Sequence, residues 1–189
     1  MPYITALRRD PGGTLRALAF DSDSNSAMGA WDDANQRWAA IDRTDGGRLW
    51  DMAPEALSDG GTLWFYVGAN GYLGVSSENG PTQQLSCIDY QYGNLYGAWR
   101  SPGDGSFWAV GECGQVFRPS RLPDGGFAPR TVMTQQTQQT IQDLWVAGTT
   151  KYAAGDNGTV WTKGVDGGWS WTSGFNGAHI ISYVRASMG

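Results

Sequence analysis

The sequence predicts an all-β chain, an array of about four units of about 44 residues with one extra strand at the C-terminal end. Three observations predict it. Segments 65–71 (FYVGANG), 108–114 (WAVGECG) and 152–158 (YAAGDNG) line up, and their first glycines, Gly68, Gly111 and Gly155, stand 43 and 44 residues apart. The chain carries 28 glycines and 13% aromatic residues against 16% charged ones, the balance of short strands joined by tight turns. No stretch sustains an apolar stripe at the 3.6-residue period of a helix. At 189 residues the chain reads as one domain, 1–189.

Each copy begins as a strand, ends in a Gly-x-x-Gly turn and continues into a second strand. Asn-Gly in that turn supplies the positive φ angles that a two-residue hairpin needs. The second strands are 72–76, 115–117 and 159–162. A weaker copy precedes these three: strand 15–21 turns through 22–25 into strand 26–31. A further turn follows in every copy around an acidic residue, at Asp33, Glu78, Asp124 and Asp166, with spacings of 45, 46 and 42 residues. Between these turns recurs another strand, at 3–9, 48–53, 94–100, 141–147 and finally 179–186. Segment 131–140, rich in Gln and Thr, reads as a polar outer strand or loop.

The acidic turns resemble the Asp-box, or bacterial neuraminidase, repeat Ser/Thr-x-Asp-x-Gly-x-Thr-Trp. The fuller units resemble β-propeller repeats of the photosystem assembly and stability factor type, which read Trp-Ala-Val-Gly-x-x-Gly, then Asp-Gly-Gly, then Trp. The last copy follows that pattern best, with 152–158, Asp166, Gly167, Gly168 and Trp171, although Gly164 and Ser170 replace the first Ser/Thr and the Thr. The second copy keeps Ser76 and Thr82 but has Glu78 for Asp and Gln83 for Trp. The resemblance implies a β-propeller-like array of about four four-stranded blades, the recurrent strand innermost and the Asp box joining the third and fourth strands. It also implies a structural role for Asp33, Glu78, Asp124 and Asp166, each capping backbone N–H groups of its turn. Four blades make about the smallest closed ring. The surplus strand 179–186 then points either to a closed four-bladed ring or to a ring shared between chains, because an open array leaves sheet edges exposed.

Inner strands of such an array line its channel, so Arg8, Arg100 and Arg185, at comparable positions in three of them, form the candidate ligand-binding cluster. Sialidases hold a carboxylate this way, the planar guanidinium fork matching it bidentately. The ligand would be an anionic sugar or an acidic group of a partner; the structural alternative pairs each arginine with a nearby Asp or Glu. Trp99 and Trp169, the latter read as lying inside a turn, are the candidate exposed rings for stacking on a sugar. Trp64, Trp108 and Trp161 are expected in the core, and Trp50 and Trp145 on inner strands. Asp21, Asp23 and Asn25 open like a calcium loop, with oxygens at positions 1, 3 and 5. Ser26 and Asp32 stand where an EF-hand loop needs Gly and Glu, and a polar hairpin turn accounts for the segment equally well, so no metal site is assigned.

Cys87, Cys113 and the single histidine, His179, supply neither a disulfide framework nor a zinc ligand set nor a two-histidine mechanism. No cofactor is expected. A diverged sialidase or glycosidase would use acids such as Asp143 or Glu112, and nothing in the sequence pairs them. The net charge of −5, from 18 acids against 11 arginines and 2 lysines, disfavours nucleic-acid binding. No run is apolar enough for a membrane span. The first residues lack the basic start and apolar run of a secretory signal, so the chain reads as cytosolically made or virion-associated. The expected function is a non-catalytic recognition or assembly module for a protein partner or a glycan, working as an oligomer. A structural or receptor-binding role in a phage particle or other bacterial assembly fits this reading. The alternatives are a lectin and, below it, a sialidase-type enzyme.

Overall fold

The computed structural model describes residues 3–21, 25–44, 47–77, 83–87, 93–122, 127–128, 131–133, 139–147, 149–164 and 168–173. Four antiparallel sheets of four strands follow one another along the chain. The first is β1 (Tyr3–Arg9), β2 (Leu15–Phe20), β3 (Ser26–Asp32) and β4 (Arg37–Thr44), and the second is β5 (Leu49–Ala56), β6 (Thr62–Gly68), β7 (Tyr72–Ser77) and β8 (Gln83–Cys87). The third contains β9 (Leu95–Arg100), β10 (Phe107–Gly111) and β11 (Val116–Phe117). A separate hairpin, β12 (Ser120–Arg121) with β13 (Phe127–Ala128), precedes its outer strand β14 (Thr131–Met133). The fourth is β15 (Ile141–Ala147), β16 (Thr150–Gly155), β17 (Thr159–Lys163) and β18 (Trp169–Ser173). The recurrent strands 3–9, 48–53, 94–100 and 141–147 therefore each open a sheet. The predicted last strand, 179–186, lies outside the described residues, as does most of 131–140 beyond β14. No helix among the described residues is long and apolar enough to cross a membrane.

Two compact units divide the chain, Met1–Leu95 and Tyr96–Gly189. In the first, Leu18 and Met28 of one sheet pack with Leu49, Met52, Trp64 and Tyr66 of the next. In the second, Trp108, Val110 and Val116 pack with Ile141, Leu144 and Trp161. The second strands β6 and β10 are buried along most of their length, which is why they read as continuous apolar runs rather than alternating ones. Trp64, Trp108 and Trp161 are core residues, as expected.

The Gly-x-x-Gly turns are where the sequence placed them. Asn70 and Gly71 have φ of 56° and 70°, Cys113 and Gly114 55° and 69°, Asn157 and Gly158 57° and 66°. The first glycine of each motif has a different reason. Gly68 has extended backbone, φ −164°, which any residue can adopt. What excludes a side chain is the neighbouring strand: a Cβ at Gly68 would overlap the carbonyl oxygen of Arg48, and one at Gly155 that of Thr140. These carbonyls accept the amides of the next residues, Ala69 at 2.8 Å and Asp156 at 3.0 Å. The glycine lets the turn close against the start of the first strand of its own sheet.

First strands share another device. β1, β5 and β15 each carry a register shift near their start, at Ile4/Ala6, Leu49/Asp51 and Ile141/Asp143. After two of these bulges stands a buried aspartate that accepts the following amide at 2.8 Å, Asp51 from Met52 and Asp143 from Leu144.

One expected turn residue is displaced. In the β3–β4 turn it is Asp32, not Asp33, whose carboxylate takes the amides of Ala34 (3.0 Å) and Asn35 (3.2 Å) and the Asn35 side-chain amide (2.7 Å). The Asn35 side chain and backbone bonds lower the pKa of Asp32. Asp33 instead accepts the Trp31 indole N–H at 2.8 Å. Adjacent aspartates made the two registers equal in sequence, and the strand end decides which one faces the turn amides. Glu78, Asp124 and Asp166 lie outside the described residues.

Candidate functional site

Arg8 is engaged in the fold. It forms an ion pair with Asp51, side chains 15% and 7% exposed, and its Nε donates to the Met52 carbonyl at 3.1 Å. Arg8 thereby ties β1 to β5, with Thr5 Oγ1 donating to the Leu49 carbonyl at 3.2 Å on the same border. Arg100 does not occupy the matching position. The β1–β2 hairpin opens at Asp10, whose carbonyl accepts the Gly13 amide at 2.9 Å, and the β9–β10 hairpin opens at Ser101, which accepts Gly105 at 2.9 Å. Counted from those turns, Arg100 corresponds to Arg9 and Trp99 to Arg8. The Arg100 guanidinium rests beside Gly105. Arg185 lies outside the described residues.

Trp169 is not a turn residue. It opens β18 opposite Lys163, and both Trp169 and Trp99 are partly buried against the core of the second unit. Their indole nitrogens are buried without a hydrogen-bond partner among the described residues. Neither ring offers an open face of the kind expected.

The two described ends of the calcium-like segment, Asp21 and Asn25, bond to each other. Asp21 accepts the Asn25 amide at 2.9 Å and its side-chain amide at 3.3 Å, and the Asp21 amide donates to the Asn25 carbonyl at 3.0 Å. Asp23 is outside the described residues, among which no three acidic, His or Cys side chains gather as a metal site. Glu112 accepts the Tyr96 hydroxyl at 2.8 Å, and Cys113 is a free thiol. Cys87 ends β8, and His179 lies outside the described residues.

The β9–β10 hairpin holds a perturbed carboxylate. Asp104 has a pKa lowered to about 2: burial raises it, but bonds from the Ser106 and Ser101 side chains, the Ser106 amide and the Arg118 charge outweigh this. Trp108 Nε1 joins the network by donating to Ser106 Oγ at 2.8 Å. Protonating Asp104 removes these interactions. A carboxylate depressed in the folded state stabilises above its ordinary value of 3.8, and that contribution is lost as pH falls towards 2. Melting temperature is therefore expected to fall less steeply between pH 4 and 2 in Asp104→Asn than in the wild type. Parallel profiles would remove Asp104 from acid sensitivity.

The most exposed aromatic surface of the described residues was not singled out by repeat logic. It lies at the start of β1, where Tyr3 is 61% exposed and stacks on Phe20 with centroids 5.4 Å apart. Phe20 meets Trp50 edge-on at 5.7 Å, and the Arg48 guanidinium lies 5.2 Å from the Phe20 centroid. Ile4 and Leu7 of β1 are also exposed, at 56% and 46%. Tyr3 and Phe20 are direct cross-strand partners, and Arg48 and Trp50 flank the first residue of β5. Two strand ends and the entry to the next sheet thus assemble stacked rings with a cation above them.

No protein-family model matches the sequence, and no curated protein does. Solved structures do. The chain is similar to PorZ of Porphyromonas gingivalis, an essential bacterial surface component of the type-IX secretion system. The TM-score is 0.56 at 14% identity, over 86% of this chain and 26% of that one. It is also similar to a protein proposed to be a 6-phosphogluconolactonase from Bacteroides uniformis, with TM-score 0.63 and 16% identity over 88% of this chain and 55% of that one. The chain thus spans about a quarter and about half of these two structures, and the likeness shows a shared all-β fold.

Proposed function

We propose that the chain is a non-catalytic recognition module, its sheets the blades of a propeller-like array, that binds a protein partner or a glycan through the surface around Tyr3. The observation that carries this reading is the open Tyr3–Phe20 stack with Arg48 beside it. Aromatic rings bury large areas on contact and offer faces to the C–H side of a sugar. An adjacent guanidinium adds bidentate recognition of a carboxylate. Exposed Ile4 and Leu7 extend the surface with apolar area suited to a protein. Of the acids named for an enzymatic alternative, Asp143 accepts the Leu144 amide and Glu112 the Tyr96 hydroxyl. Oligomerisation, in a phage particle or another bacterial assembly, belongs to the same reading.

A glycan array with neutral and acidic sugars, read together with solution mass by light scattering, tests it. The expected result is an oligomer with a bound glycan or protein ligand, whose affinity drops about tenfold in Tyr3→Ala and again in Arg48→Gln. Unchanged binding in the double variant would remove the surface from the proposal. Turnover of a fluorogenic glycoside, abolished by replacing one acid, would replace the reading with an enzymatic one.

A further inference from the structure

The chain has only two lysines, Lys151 and Lys163, and the fold sets them side by side. They are direct cross-strand partners in β16 and β17, and Trp169 of β18 is the next partner of Lys163, so the three side chains share one face of the sheet. Like charges directly opposite each other destabilise a sheet. A third cation joins them. Lys151 Nζ lies 5.1 Å and Arg118 Cζ 5.4 Å from the centroid of the same Trp108 ring, a residue only 2% exposed. Burial first, then the charges of Lys151 and Arg118, lower the pKa of Lys163. Among the described residues one carboxylate is in ion-pair contact with this group, Asp104 at 3.1 Å from Arg118, and neither lysine is in a salt bridge. A chain of net charge −5 concentrates three cations here against one paired carboxylate among the described residues, at a cost that a bound anion would offset.

We propose that Lys151, Lys163 and Arg118, beside Trp169, form a binding site for an oxyanion group of a ligand: a sulfate, phosphate or carboxylate. Two lysines on paired strands, and Arg118 just past the end of β11 against the same buried indole as Lys151, hold their donors in place before the ligand arrives, which limits the ordering cost of binding. The inference rests on residues of the second unit and does not depend on the Tyr3 surface.

Thermal unfolding of the whole chain tests it, in millimolar sodium sulfate, phosphate or glucuronate against chloride at matched ionic strength. Sulfate and phosphate also stabilise proteins by exclusion from their surface. The decisive quantity is therefore the difference between wild type and Lys151→Gln/Lys163→Gln. At about ten times Kd the melting temperature of the wild type is expected to rise about 3 °C more than that of the variant. The anion with the largest excess identifies the ligand group, a tetrahedral oxyanion or a carboxylate. In low-salt buffer without these anions, Lys163→Gln is expected to melt about 1 °C higher than wild type, because an opposed like charge is gone. Equal responses of wild type and double variant to all three anions would overturn the site.

Discussion

Gly155→Ala is expected to cost about 3 kcal/mol of stability, at the upper end for overpacking, because its Cβ would overlap the Thr140 carbonyl oxygen. That atom is backbone, and it already accepts the Asp156 amide at 3.0 Å, so neither side can yield without breaking the turn. Gly68→Ala meets the Arg48 carbonyl in the same way in the second sheet. Gly164→Ala is the control: nothing stands within 4 Å of its would-be Cβ, and its change should stay within about 0.5 kcal/mol. Urea unfolding of the three variants reads the contrast directly. If Gly155→Ala proved as stable as Gly164→Ala, the close approach would not be what maintains this glycine.

The second large effect concerns the Arg8–Asp51 pair. Arg8→Ala removes the guanidinium that faces the Asp51 carboxylate, which is 7% exposed and also accepts the Met52 amide. Removing one member of a buried pair costs about 3–5 kcal/mol, since the remaining charge stays desolvated. Replacing both members, as Arg8→Met with Asp51→Leu, should recover most of that loss. It will not recover all of it, because the Met52 carbonyl, 3.1 Å from Arg8 Nε, loses its donor. Calorimetric melting of the single and double variants separates the two cases. A single variant that melts like the wild type would show that the pair does not hold β1 to β5.

The repeat was legible in sequence because its signals are local. Asn70-Gly71 and Asn157-Gly158 must turn at positive φ wherever they stand, and Cys113 follows them because Gly114 and the flanking strands impose the same bend. Strand alternation and the period of about 44 residues then placed β1, β5, β9 and β15. The candidate site was less legible. Arg8 and Arg100 look alike in the sequence, but Arg8 stands two residues before its turn at Asp10 and Arg100 one residue before its turn at Ser101. Trp169 looks like a turn residue next to Gly168, yet it is the first residue of a strand and packs inward. The Tyr3 stack had no repeat to announce it, because it joins residues 17 and more positions apart through one cross-strand pair and the start of the next sheet.

By itself, then, the sequence determined the all-β class, the four four-stranded sheets, and where the Gly-x-x-Gly reversals fall. These follow from backbone preferences and apolar periodicity, which act over a few residues. Tertiary structure alone decided which charges are spent and which are available. Arg8 is neutralised by an aspartate 43 residues away, while Lys151, Lys163 and Arg118 are brought together with one carboxylate in ion-pair contact among the described residues. Charge pairing depends on distances of a few ångströms between strands remote in sequence, and only packing sets those distances.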